Sequence, residues 1–253
     1  MHQTHNLLQR MRLFISIFLP ILIYQLANFS ASFVDTTMTG QYNTLHLAGV
    51  SMATSLWIPF FDLLIGIVSA LVPIIGHHLG QGKKGKIASD FYQFIYLSLG
   101  LSLILFALVF VGAPLVLSHL SLEPLVEEVA KNYLWYLALG IIPLLLFSTI
   151  RSLFDALGLT KLSMYLMLLL LPLNGSFNYA LIYGAFGFPE MGGAGAGLGT
   201  PLAYWVLLLI SLLVAVKHPK IRAYELWKIR PLDKKGLIEG IRLGLPIGGT
   251  FFC

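Results

Sequence analysis

Six separate apolar runs, each long enough to cross a bilayer as a helix, lie at Leu13–Val34, Leu47–Ile75, Phe91–Leu117, Tyr133–Ile150, Ser163–Tyr183 and Ala196–Val216. A spanning helix needs about 20 mostly apolar residues, whereas a spanning strand needs only about 10. Inside lipid every backbone N–H and C=O must be satisfied within the structure, and runs of this length do so as helices. The expected fold class is therefore all-α: a polytopic membrane protein built as a bundle of six transmembrane helices. Composition leads to the same place. The 253 residues are 57% hydrophobic and only 11% charged, against about 25% charged in a soluble domain. So little charge cannot coat a water-facing surface.

The net charge of +5 does not mark a nucleic-acid binder, because Lys and Arg sit between the apolar runs and form no stripe among exposed aromatics. Cys253 is the single cysteine, which excludes a disulfide framework and cysteine metal sites. The first run follows Arg10 and Arg12, is longer than a signal core and lacks a small-residue cleavage site, so it reads as a spanning helix.

Basic residues orient the bundle. Arg10 and Arg12 precede the first run; Lys83, Lys84 and Lys86 follow the second, and Arg151 and Lys161 the fourth. Lys217, Lys220, Arg222, Lys228, Arg230, Lys234 and Lys235 follow the sixth, while the opposite connections offer only Lys131. The positive-inside rule places the N-terminus and the long basic loop in the cytoplasm. Three segments follow: residues 1–216 as the N-terminal six-helix bundle, 217–236 as a basic cytoplasmic loop, and 237–253 as the start of a seventh helix. Arg242 with Leu245-Pro246-Ile247 echoes Arg12 with Leu19-Pro20-Ile21. Such recurrence is how a two-repeat membrane protein begins its second half, and the chain reads as one half of something larger.

Polar residues inside apolar runs are costly, at roughly 2.5–3.5 kcal/mol for a charge at the bilayer centre on insertion scales, so those present usually face a cavity. Asp35 ends the first run, Asp62 lies within the second, and Asn174 and Asn178 share one face of the fifth, just beyond Pro172. At 1.5 Å per residue Asp35 lies about 33 Å from Leu13 and the two amides about 17–23 Å beyond Ser163. A cavity between the first and fifth helices would let them meet. The alternatives are an interfacial cap in an Asp-Thr-Thr loop for Asp35, interhelical hydrogen bonding for the two asparagines, and a bundle-facing pairing for Asp62.

Other features carry less chemistry. His77 and His78 are adjacent and point apart on a helix, which argues against a metal pair. The glycines of Gly192–Gly199 do not follow G-x-G-x-x-G and no Walker lysine follows them. The pairs Gly193/Gly197 and Gly195/Gly199 suit close helix packing instead. Pro20, Pro59, Pro73, Pro114, Pro143 and Pro172 suit helices that bend. No catalytic constellation appears, so an enzyme and a bound cofactor or metal are not expected.

The ordered set of Leu19-Pro20-Ile21, Phe33-Val34-Asp35-Thr36 with Gly40, and Ala48-Gly49-Val50-Ser51 begins a resemblance that covers almost the whole chain. It continues through Leu56-Trp57-Ile58-Pro59, Ala70-Leu71-Val72-Pro73, Gly80-Gln81-Gly82-Lys83, Pro172-Leu173-Asn174, Asn178-Tyr179, and Gly195-Ala196-Gly197 with Thr200. This set resembles the N-terminal half of multidrug and toxic compound extrusion (MATE) transporters, in particular the bacterial norfloxacin-exporter-like branch. The resemblance implies two six-helix lobes related by an axis along the membrane normal, with a cavity between them. It implies multidrug efflux of organic cations and amphipathic drugs by antiport against Na⁺ or H⁺ across the inner (plasma) membrane. It also implies a cation-coupling site at Asp35, completed by Asn174 and Asn178, with Thr200 as the small polar position of helix six. Asp62 matches no functional position of the family. The partners implied are the drugs, the lipid bilayer, and a second lobe or a second copy of the chain. Two other readings compete: a non-transporting remnant, and a lipid-precursor flippase of the same superfamily, whose cavity would need basic residues for pyrophosphate.

Overall fold

The computed structural model of the chain describes residues 6–253; the first five residues of the expected 1–216 bundle lie outside the described residues. Ten α-helices follow one another: α1 (Leu7–Tyr42), α2 (Thr44–Ser69), α3 (Leu71–Gly80), α4 (Ile87–Ser118), α5 (Pro124–Ala138), α6 (Ile141–Ala156), α7 (Thr160–Tyr183), α8 (Gly193–Lys217), the short α9 (Pro219–Arg222) and α10 (Lys234–Phe252). No strand occurs among the described residues. The fold is the expected all-α membrane bundle. Five helical segments are individually long and apolar enough to cross a bilayer, and α5 and α6, bent by 48° at their junction, complete a sixth.

The second and fourth spans are broken helices, which the apolar runs did not reveal. Proline explains both breaks, because its ring excludes the carbonyl four residues earlier from the helical ladder. Pro73 stands four residues after Ser69, the last residue of α2, and Pro143 stands four after Leu139, the C-cap of α5. Each proline then lies in the first turn of the next helix, where no N–H donor is required. Pro20, Pro59, Pro114 and Pro172 instead sit inside continuous helices. The histidines lie in the last turn of α3 and diverge as expected: His77 Nε2 is 2.9 Å from Gln81 Nε2, while His78 Nδ1 is 2.5 Å from Asp90 Oδ2.

Helix association in lipid relies on close packing of small residues, since lipid tails are as apolar as leucine. The glycine-rich start of α8 does this on two sides. A Cβ on Gly197 would come within 2.7 Å of the Tyr133 carbonyl oxygen on α5, and one on Gly195 within 2.7 Å of the Leu181 carbonyl carbon on α7. The two small-residue pairs read from the sequence thus serve two different neighbours. At the bend of the fourth span, Gly140 lies against Pro201 of α8, where a Cβ would meet the proline ring at 2.8 Å. Helix α10 packs along α2, with Gly244 and Gly248 against the Ile67 and Leu63 carbonyls. Helix α1 rests chiefly on α7 and buries only Pro20, Ala27, Ala31 and Thr39.

Candidate functional site

The site grows from the polar face of α1. Gln25, Asn28, Ser32 and Asp35 recur at spacings of three, four and three, so they stack along one side of the helix, and all four line one cavity of about 420 Å³. Helix α1 does not end at Asp35. It runs seven residues further to Tyr42, and Asn43 then caps α2 by accepting from Leu45 N at 2.8 Å. The Asp-Thr-Thr segment is therefore helix, and the interfacial-loop alternative for Asp35 does not hold.

The carboxylate meets both asparagines of α7. Asn174 Nδ2 donates to Asp35 Oδ1 at 2.8 Å, and Asn178 Nδ2 donates to the same oxygen. Thr200 of α8 donates to Asn174 Oδ1 at 3.2 Å and to its own Ala196 carbonyl at 3.3 Å. Asn174 and Asn178 are buried, Asp35 and Thr200 half-buried. Thus the four residues expected from the sequence form one connected hydrogen-bonded group drawn from three helices. Asn178 Oδ1 is the exception within it: a buried acceptor with no donor.

Three contacts beyond the site hold α1 and α2 in register with α7 and α8. Tyr183 at the end of α7 donates to the Met38 carbonyl at 3.0 Å, Tyr42 donates to Glu190 at 2.7 Å, and the Gly193 N–H donates to His46 Nδ1 at 2.9 Å. These tie down the end of α1 one to two turns beyond Asp35, which positions its carboxylate over the amide face. Packing tightens the other side, where Gly199 of α8 lies directly against Asn178 and leaves no room for a Cβ.

Sequence reasoning singled out Asp62 but missed Gln25, Asn28, Ser32 and Tyr204, which continue the polar surface. Asp62 lines the Asp35 cavity and also a second cavity of about 230 Å³ that contains Arg151. Gln25, Asn28 and Tyr204 border both. Asp62 makes no ion pair; among the described residues the pairs are His78–Asp90 and Lys228–Glu225. The Arg151 guanidinium lies 5.0 Å from the Tyr24 ring centroid, and its buried Nε has no hydrogen-bond partner. Nor does a tyrosine or a backbone group hydrogen-bond Asp62 among the described residues, so the bundle-facing alternative, pairing with a tyrosine or a backbone group, is not present. The stripe from Gln25 to Asp35 was visible as a helical spacing and is the signal that would have found this face.

The chemistry open to the Asp35 group follows from its donors. A carboxylate, two amides and a hydroxyl offer only hard oxygen ligands, or a carboxyl oxygen that accepts a proton. Among the described residues no three His, Cys, Asp or Glu side chains cluster at metal-binding distance.

A bundle of span-length apolar helices that break at proline, with polar side chains gathered around an acid in a cavity between them, belongs to the class of multi-pass membrane proteins with an internal polar cavity. Within that class the comparisons identify the family. Residues 20–180 match the MatE family model, and the chain belongs to the MatE family. It is similar to the probable multidrug resistance protein NorM of Streptococcus pneumoniae, with 69% identity over 253 residues, covering 100% of this chain and 56% of the relative. It is also similar to the protein of that name from Halalkalibacterium halodurans, at 41% identity, covering 100% of this chain and 55% of the relative. The chain thus spans about half the length of the curated relatives it matches. The fold is similar to a eukaryotic MATE transporter, AtDTX14, with a TM-score of 0.81 and 18% identity over 97% of this chain and 54% of that one. A MOP superfamily transporter from Pyrococcus furiosus matches with a TM-score of 0.80 and 19% identity over 92% of this chain and 51% of that one.

Proposed function

We propose that this chain forms one lobe of a multidrug exporter that moves organic cations and amphipathic drugs out of the cell by antiport against Na⁺ or H⁺. The observation that carries the reading is the Asp35 group. A carboxylate at membrane depth accepts two amide N–H bonds on one oxygen, while the carbonyl of one of those amides, Asn178 Oδ1, has no donor. A proton carried by Asp35, or a Na⁺ ion among Asp35, Asn174, Asn178 and Thr200, would satisfy that carbonyl. In either case loading changes the hydrogen bonds between α1 and α7, and this is how ion occupancy would reach the cavity shape.

The chain lies in the inner (plasma) membrane with its N-terminus in the cytoplasm, as the distribution of Lys and Arg supports. A second lobe, or a second copy of the chain, completes the transport path. The flippase reading gains nothing from the two cavities that Asp62 lines, where Arg151 is the one basic residue against Asp35 and Asp62.

The test is drug efflux from proteoliposomes containing the whole transporter with Asp35→Asn. Gradient-driven efflux should be lost while membrane insertion and monodispersity are kept. Efflux at the native rate would remove Asp35 from the mechanism.

A further inference from the structure

A second polar pocket lies at one membrane face, well away from Asp35. It has a volume of about 540 Å³, and Lys84, Lys220 and Arg230 converge on it with Tyr224, Leu157 and Glu225. The lining comes from three connections, with Lys84 in one and both Lys220 and Arg230 in another. Lys84 follows the second span, Leu157 ends the fourth, Lys220 follows the sixth, and Arg230 lies in the segment leading to α10. All three connections emerge on the same side of the bundle, where chain order returns after every even-numbered span.

The pocket is held by the scaffold. On α4, Tyr96 donates to the Arg230 carbonyl at 2.5 Å, and Tyr92 donates to the Leu226 carbonyl. Gln93, also on α4, donates to the Pro231 carbonyl at 3.0 Å and accepts from Asp233 N at 2.9 Å. The only acid in the lining, Glu225, is engaged by Lys228 at 2.9 Å. Lys84, Lys220 and Arg230 enter no ion pair among the described residues, and Arg230 Nε is buried without a hydrogen-bond partner. A preformed pocket with three uncompensated cations and an orphan guanidinium N–H is complementary to a phosphate oxygen.

The rim selects among phosphate-bearing ligands. Beside the pocket, Trp227, Ile229 and Leu232 are 56%, 78% and 55% exposed. Apolar side chains bared next to a basic pocket, at the level where spans end, suit the interface between headgroups and acyl chains. We infer that this pocket is a binding site for an anionic phospholipid, whose phosphate headgroup sits between Lys84, Lys220 and Arg230. Bound there, the lipid bridges the short turn after the second span to the segment that leads into α10.

Native mass spectrometry of the purified protein, presented with phosphatidylglycerol and phosphatidylcholine in equal amounts, tests the assignment. Phosphatidylglycerol should be retained preferentially. That preference should fall about fivefold for each charge removed in Lys84→Gln, Lys220→Gln and Arg230→Gln. It should persist in Arg230→Lys, and in Lys131→Gln on the opposite face. Equal preference in the pocket variants and in Lys131→Gln would overturn the site. Displacement of phosphatidylglycerol by millimolar inorganic phosphate, with no remaining lipid preference, would mark a site for soluble phosphoryl groups and overturn the lipid assignment.

Discussion

The tight start of α8 makes a sharp quantitative prediction through Gly195. A Cβ built there lies 2.7 Å from the Leu181 carbonyl carbon, 2.8 Å from its oxygen and 2.9 Å from Ile182 N. All three atoms are backbone of α7, so no side chain can rotate aside, and ordinary contact at about 3.5 Å requires the two helices to part by several tenths of an ångström or more. Overpacking of this kind costs about 1–3 kcal/mol. Alanine recovers up to about 1 kcal/mol through its better helix propensity. Gly195→Ala should therefore lower the unfolding free energy by up to about 2 kcal/mol. Gly100 in α4 supplies the control, because a Cβ there meets nothing within 4 Å. Gly100→Ala should raise stability by about 0.5–1 kcal/mol, from propensity alone. Equilibrium unfolding of each purified variant in mixed SDS and mild-detergent micelles measures both. The same sign of change in the two variants would refute the claim that close approach of α8 to α7 holds this part of the bundle.

Two further predictions follow from polar groups in the bundle. Asp62 has no ion pair and faces two cavities, so Asp62→Asn should leave stability unchanged or raised while weakening binding of organic cations; a loss of stability in the same unfolding assay would reveal a structural partner. Ser98 Oγ and Thr149 Oγ1, both buried, lie 2.7 Å apart between α4 and α6. A double-mutant cycle with Ser98→Ala and Thr149→Val should give a coupling of about 0.6 kcal/mol, the usual size for such bonds in a membrane bundle, and a coupling of zero would show that the pair contributes no net attraction.

Much of the architecture was legible from residues alone, because the cost of placing a side chain in lipid is paid residue by residue. The six runs between Leu13 and Val216 mark where helices lie, and Asn174 and Asn178, four apart on one helix, necessarily share a face. Asp35 was different. Its run of apolar residues ends at Val34, yet α1 continues to Tyr42, because Met38 and Tyr42 are held by α7 and its following loop rather than by hydrophobicity of their own. Likewise the breaks at Ala70 and at Leu139–Gly140 lie inside runs that hydropathy reads as continuous.

What the residues determined by themselves was the number of spans, the side on which basic residues gather, and the positions of polar groups within lipid. These depend on the local free energy of transfer, which needs no neighbour. Only the tertiary structure decided that the Asp35 face of α1 meets the amide face of α7, that Asp62 lines both the Asp35 cavity and the one containing Arg151, and that Lys84, Lys220 and Arg230 meet at one pocket. Between helices in lipid there is no hydrophobic gradient to predict which faces pair. The choice falls to small-residue packing, such as Gly195 on Leu181 and Gly197 on Tyr133, and to hydrogen bonds that exist only once the partner helix is in place.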